Sequence, residues 1–334
     1  MRAFRSSLLL ATLLLSTMGV APAVAGAACG PLTMLTSMDL KPSAPVPIVT
    51  AMIGDKPVGL LVDTGGALSS LKKKAVRELN LQTGQARIYL KNVAGQTEDL
   101  EARLPSITLG RLRQEGVYFM VLPGEESSDD PPIEVFGGIL GSEMLRNVDV
   151  DFDFGANKLN LVSPDHCAGN VVYWQAPAVA VVPMTLNQFG HIMFRMELDG
   201  RRVNTMLDTG FSQTTLNLDT ARRTFRVDLN APDVEKIGQL TGGYSADTYR
   251  RRFKTLAVEG VTINNPEVDM LPNMMGNVNP GAPRTGSIIR ESQNGLPDLV
   301  LGMNVLRQMH VYIAYKERKL YITAAAPPPS PAAQ

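Results

Sequence analysis

The chain has 334 residues, long enough for one large domain or two of ordinary size around a sizeable core. Its 32 basic and 32 acidic residues cancel, so there is no basic field for nucleic acid and no acidic block for a cationic partner. Composition is that of an ordinary globular protein, and His166, His191 and His310 stand without ligand spacing, so neither a metal nor a cofactor is expected.

The chain opens on Arg2 and Arg5, an apolar run from Leu8 to Val20, and the small residues of "APAVAGAACG". This reads as a signal peptide over residues 1–27, cut after Ala25 or Ala27, and implies a periplasmic or secreted protein. A membrane anchor is the competing reading, but the run falls short of the roughly 20 apolar residues that span a bilayer. No later segment is long and apolar enough to span. Cys29 and Cys167 are the only cysteines. In an oxidising space they form a bridge. Two other readings stand beside it: lipidation of Cys29 in "GAAC", where Gly26 takes the place of the usual Leu or Val, and two free thiols.

The next stretch, "TAMIGDKPVGLLVDTGG" (Thr50 to Gly66), returns as "RMELDGRRVNTMLDTGF" (Arg195 to Phe211) at a constant offset of 145. Each copy reads as a strand, a polar turn, a second apolar strand and then Asp-Thr-Gly. A short helix follows each, with Ser69 or Ser70 as N-cap in the first half and Asn217 in the second. Lys72, Lys73 and Lys74 read as one exposed helix turn. Hairpins follow over Ala86 to Gly110 and Ile237 to Gly260, with tips near Ala94-Gly95 and Gly242-Gly243. The loops Pro123 to Glu134 and Pro272 to Asp298 read as solvated surface or as borders of a cleft.

A second repeat, Leu140 to Val162 over Leu301 to Thr323, has an offset of 161. Both copies start on an apolar pair and Gly, and continue as a short helix containing Leu-Arg and two strands joined by a turn. The extra length of the second half falls in the loop Pro272 to Asp298. The reading is therefore two homologous halves, 28–170 and 171–324, with a disordered tail over 325–334.

One Asp-Thr-Gly arises by chance on the order of once in several thousand positions. Two copies in matching contexts are far more specific. The pattern resembles the aspartic protease superfamily, and more closely its retropepsin-like branch. The resemblance implies an all-β fold of two pseudo-symmetric acid-protease-like β-barrel lobes with a cleft between them. It implies that Asp63 and Asp208 face each other as a catalytic dyad. Thr64 and Thr209 would bond across the axis, and Gly65 and Gly210 would let the backbones approach and offer N–H groups. Ile139-Leu140-Gly141 and Val300-Leu301-Gly302 would pack around the loops in a ψ-shaped motif. The tips at Gly95 and Gly243 would be flaps, with Tyr244 either a flap residue or an ordinary hairpin tyrosine.

The implied activity is an endopeptidase that attacks a peptide or protein substrate with a water activated between two carboxylates, without a covalent intermediate. The dyad would form within one monomeric chain; pairing of each half with the same half of a second chain is the alternative. No pepsin-type prosegment is expected. The pattern departs from the family after each Asp-Thr-Gly, where Gly66 and Phe211 replace the usual Ala, Ser or Thr. No hydroxyl there bonds a carboxylate, which implies a dyad with raised pKa values and activity nearer neutral pH. The Phe211 ring also motivates a reading of another class, a non-catalytic, protease-derived peptide-binding module of the cell envelope.

Overall fold

A computed structural model describes residues 29–91, 96–240, 246–272 and 297–326. The segment read as a signal peptide, the flap tips with Gly95, Gly243 and Tyr244, most of the loop after Pro272 and most of the tail lie outside the described residues.

Each half is built on the hairpin that the repeat predicted. Ile48–Ile53 pairs with Lys56–Val62 around Gly54, and Ile192–Leu198 pairs with Arg201–Leu207 around Asp199-Gly200. Gly54, Asp199 and Gly200 all have positive φ, which the two-residue turns require. Five successive residues, Val58 to Val62, are buried. An alternating pattern would leave one face wet, but this strand is covered on both sides and lies inside its sheet. Its other neighbour is Gly138–Leu140, which runs parallel to it. In the second half Leu299–Leu301 runs parallel to Thr205–Leu207.

The two lobe sheets follow the same order. In the first lobe it is Gln82–Lys91, Thr97–Arg103, Tyr118–Val121, Ser70–Leu71, Gly138–Leu140, Lys56–Val62, Ile48–Ile53, Ser106–Leu109 and Leu112–Glu115. The second lobe repeats this order and adds Thr185–Leu186 beside its first hairpin strand.

A third, six-stranded sheet belongs to both halves. Its order is Met34–Asp39, Lys158–Val162, Asp149–Asp153, Met309–Ala314, Lys319–Ala324 and Ala180–Pro183. The centre is an antiparallel pair across the halves, with Val150 opposite Ile313 and Phe152 opposite Val311. Val150, Phe152, Val311 and Ile313 join the main core under the lobes. The alternate residues point the other way, as a strand period of two demands, and are covered by the connection between the halves. Val171, Trp174 and Val179 of that connection pack there with Tyr312 and Tyr321. Cys167 on it is bridged to Cys29.

Two carboxylates, Asp149 and Asp151, are fully buried on this covered face. Each is satisfied. Asp149 meets His166 Nε2 at 2.6 Å and accepts from the Tyr315 N–H at 3.0 Å and the Tyr312 hydroxyl at 3.2 Å. Asp151 meets His310 Nε2 at 2.6 Å and accepts from Asn160 at 2.9 Å and from the Tyr173 hydroxyl. Trp174 stacks on His310 at 4.0 Å. Buried polar groups need such partners, since an unpaired one keeps its full desolvation cost.

Two expectations are corrected. Ser69 and Ser70 do not cap a helix: the helix is Lys73–Glu78, with Lys72 at its N-cap position, while Ser70 is in a strand and Ser69 Oγ accepts from the Gly141 N–H. A hydrogen bond within the lobe outweighed the local capping preference. The lysine run is not a free exposed turn either. Lys72 pairs with Asp130, Lys74 donates to the Asp130 carbonyl at 2.9 Å, and Lys73 meets Glu98 at 3.0 Å. Asn217 does cap its helix, Leu218–Arg223, accepting from the Asp219 and Thr220 N–H groups.

His310→Ala removes one arm of the buried Asp151 cluster. It is expected to cost about 2 to 4 kcal/mol in urea denaturation. Lys158→Ala, which breaks an exposed pair with Asp39, should cost under about 1 kcal/mol.

Candidate active site

Each buried hairpin strand ends on an aspartate because its neighbour ends there too. The Leu140 carbonyl accepts from the Asp63 N–H at 3.0 Å, and the Leu301 carbonyl accepts from the Asp208 N–H at 3.1 Å. Beyond these bonds the chain turns sharply. The Gly65 and Gly66 N–H groups both donate to Asp63 Oδ1 at 2.8 Å. The Gly210 N–H donates to Asp208 Oδ1 at 2.8 Å, and the Phe211 N–H bears on the same carboxylate. Both loops are thus folded around their own carboxylates.

The apolar-apolar-Gly elements close around the loops. Ile139-Leu140 and Val300-Leu301 are strand residues that pair with the hairpin strands. Gly141 N–H donates to Ser69 Oγ at 2.9 Å and Gly302 N–H donates to Thr214 Oγ1 at 3.1 Å. A side chain at Gly302 would run into the Gln213 backbone.

The halves meet through two threonines. Thr64 N–H donates to Thr209 Oγ1 at 3.0 Å, and Thr209 N–H donates to Thr64 Oγ1 at 3.1 Å. Each hydroxyl then donates to the opposite strand, Thr209 Oγ1 to the Val62 carbonyl at 2.6 Å and Thr64 Oγ1 to the Leu207 carbonyl at 3.0 Å. All four groups are buried. The pairing joins the two halves of one chain.

This contact presses each glycine against the opposite carboxylate. A Cβ at Gly65 would overlap the Asp208 carboxylate, and one at Gly210 would lie 2.6 Å from Asp63 Cγ. Only glycine permits that approach. Asp63 and Asp208 stand within hydrogen-bonding reach of each other. Burial raises both carboxyl groups above the ordinary range. Asp208 is raised further, because the Asp63 charge adds to its burial, while the Gly65 and Gly66 N–H groups hold Asp63 back. The two carboxyls therefore share a proton, and the titration belongs to the pair.

Phe211 does not disturb this frame. Its carbonyl accepts from the Met303 N–H at 2.8 Å, as the Gly66 carbonyl accepts from the Ser142 N–H at 2.7 Å. Position 66 does not have a positive φ, but a Cβ there would lie 2.9 Å from Asp63 Oδ2, so the two loops match in these backbone bonds and not in the space beside the carboxylate.

A matching pair of residues and one histidine at the site escaped the sequence reading. Glu143 Oε1 accepts from the Ser69 N–H at 2.7 Å, where Asn304 Oδ1 accepts from Thr214 N–H at 2.7 Å in the other lobe. The second repeat aligns these two positions, so that signal was available. His191 is the histidine. It lies beside the first Asp-Thr-Gly loop, with the Gly65 backbone bearing on it. Nothing in its spacing marks it. In the first lobe a cavity of about 410 Å³ is lined by Leu68, Ser69, Ile88, Tyr118 and Met120. Among the described residues, no group of His, Cys, Asp and Glu side chains is arranged to hold a metal ion.

A family model described as aspartyl protease matches residues 49–144 and again 194–305. No curated protein matches the chain in sequence. Among solved structures, the chain is similar to the basic 7S globulin of soybean, with 12% identity, 88% of this chain and 95% of that chain covered, and a TM-score of 0.47. It is also similar to a retropepsin-like aspartic protease from Rickettsia conorii, with 17% identity, 46% of this chain and 98% of that chain covered, and a TM-score of 0.32. With one family match on each repeat, the chain belongs to the aspartyl protease family, and the match recurs in its two halves.

Proposed function

We propose that the protein is an aspartic endopeptidase whose dyad is Asp63 and Asp208. The observation that carries this reading is the mutual approach of the two loops, with each glycine against the opposite carboxylate. Two carboxylates this close cannot both ionise cheaply, so one proton is shared. Asp63 takes a proton from a water between the carboxylates, and Asp208 donates its proton to the carbonyl of the scissile bond. The water adds directly, with no covalent enzyme intermediate. Thr64, Gly65, Thr209 and Gly210 support the loops; none of them reacts. The substrate is a peptide or protein segment lying along the cleft, and the working unit is a single chain.

We further propose a periplasmic or secreted location. The Cys29–Cys167 bridge supports it, since disulfides persist in oxidising compartments. Among the described residues no helix is long and apolar enough to cross a membrane.

The peptide-binding alternative rested on Phe211, and the undisturbed loop around that residue favours the catalytic reading. The deciding experiment is digestion of a diverse peptide library by the purified mature chain. Asp63→Asn and Asp208→Asn are each expected to lower cleavage by at least about a thousandfold. Cleavage that survives both changes would sink the dyad. A wild-type chain that cleaves nothing but binds a statine-type inhibitor tightly would favour the binding module.

The raised dyad also predicts a pH dependence of stability. Both folded-state values lie above the ordinary 3.8, so the folded chain holds a proton that the unfolded chain releases. Stability is then lost as pH rises from about 4 through the raised range. Asp208→Asn removes the group raised further. It should raise the melting temperature at about pH 8, with the gain shrinking toward about pH 4. A gain that does not change with pH would contradict the assignment.

A further inference from the structure

The pseudo-twofold breaks just ahead of the two hairpins. At the offset of the first repeat, Val46 in the first half corresponds to His191 in the second. Val46 is partly buried against the apolar core. His191 is only 8% exposed and ends the turn Asn187–His191. Asn187 Oδ1 accepts from the Phe189 N–H at 2.9 Å and from the His191 N–H at 3.0 Å. That fixes the amide so that its nitrogen lies 3.3 Å from His191 Nδ1. An amide nitrogen only donates, so Nδ1 accepts, and the neutral ring carries its hydrogen on Nε2.

Among the described residues, Nε2 is buried without a hydrogen-bond partner of ordinary geometry. The backbone group that bears on the ring is the Gly65 carbonyl. Ser142 holds the turn against the first catalytic loop, its hydroxyl 3.4 Å from both the Ala67 and the Phe189 carbonyls. The Gly65 carbonyl and the Gly66 N–H belong to one peptide unit, and that N–H donates to Asp63 at 2.8 Å. A donor placed on the carbonyl of a peptide polarises its N–H and strengthens the next bond in the chain.

We propose that His191 is a positioning residue of the dyad: its Nε2–H closes on the Gly65 carbonyl as the loop tightens on substrate, and the Gly65–Gly66 peptide passes that polarisation to Asp63 and favours its ionised form. Catalytic hydrogen bonds that are open in a free enzyme often close in its complexes. The relay is one-sided. The peptide Gly210–Phe211 serves Asp208, but position 46 is valine and has no side-chain donor. In a nearly symmetric pair, His191 thus decides which carboxylate is the base. Burial holds His191 below its ordinary value, so the ring is neutral at neutral pH. The charged groups on the elements packed there are Asp63 on the catalytic loop and Glu143 and Arg146 on the helix Ser142–Leu145 and its end. None of them enters the titration of His191, which burial and the Gly65 carbonyl govern.

This assignment rests on the peptidase reading, but its first test does not need turnover. Carboxyl-carbon NMR of aspartate-labelled protein, with Asp63 identified by Asp63→Asn, follows the titration directly. In His191→Val the Asp63 titration is expected to move up in pH, and in His191→Gln, which keeps a donor, to return toward the wild type. On any peptide that the wild type cleaves, His191→Val should lose about tenfold in kcat with KM within about twofold. If the valine variant does not fold, His191→Met fills the space without a donor and carries the same expectations. An unchanged Asp63 titration in a folded valine or methionine variant overturns the proposal. An equal shift in the glutamine variant also overturns it, because packing alone would then explain the effect. If the wild type cleaves nothing, the peptidase reading fails while the titration still decides the role of His191.

Discussion

The exchange between Thr64 and Thr209 is the contact on which the site depends. Each hydroxyl accepts from the opposite N–H and donates to the opposite strand, so neither is left unpaired in a buried place. Serine has the same chemistry but a freer χ1, and valine has the shape without the hydroxyl. The exchange draws in two loops that each carry a carboxylate. Left alone, the carboxylates would repel each other and pull the loops apart. The buried hydrogen bonds oppose that repulsion, and the cost appears as a proton retained by the pair.

The halves are alike where the loops meet and differ around them. Asn304 uses both ends of its amide, accepting from Thr214 and donating to the Glu267 carbonyl at 2.9 Å. Glu143 in the matching place accepts from Ser69, and its second oxygen has no hydrogen-bond partner among the described residues. Position 66 is glycine where 211 is phenylalanine, and position 46 is valine where 191 is histidine. A dyad formed by two identical chains has no such differences and cannot favour either aspartate. Fusion of the halves in one chain lets each side change alone.

The fold class, the two hairpins, the ψ-type elements and the threonine contact were legible because they repeat within one chain. A constant offset aligned Asp63 with Asp208 without knowledge of any contact. The resemblance then supplied the pairing that the offset alone does not contain. Other features depend on partners far away in sequence and leave no local pattern. Ser69 looks like a helix cap until its hydroxyl is taken by Gly141. The lysine run looks solvated until the loop carrying Asp130 returns to it. Asp149, Asp151 and Asp153 read as polar alternation on a strand, although the first two are fully buried beneath the connection between the halves. Phe211 shows the limit of judging a residue by size, since its carbonyl bonds the following helix as that of Gly66 does.

The shared sheet explains why so small a contact can hold Asp63 and Asp208 in place. The threonine bonds tolerate little movement, since hydrogen bonds weaken steeply with misalignment. Two lobes joined only there would rotate about it. The central strand pair, Asp149–Asp153 with Met309–Ala314, fixes the lobes at a second place. Apolar residues on its inner face join it to both lobes, and the Asp149 and Asp151 clusters tie its outer face to the connecting segment. An apolar face would pack there without specifying a position along the strands. Buried carboxylates accept only a register that brings His166 and His310 into reach, because any slip leaves a charge unpaired in a dry place. The polar layer behind the lobes and the threonine contact between them thus act together: one sets the position of the halves, and the other uses that position to bring two carboxylates to a single proton.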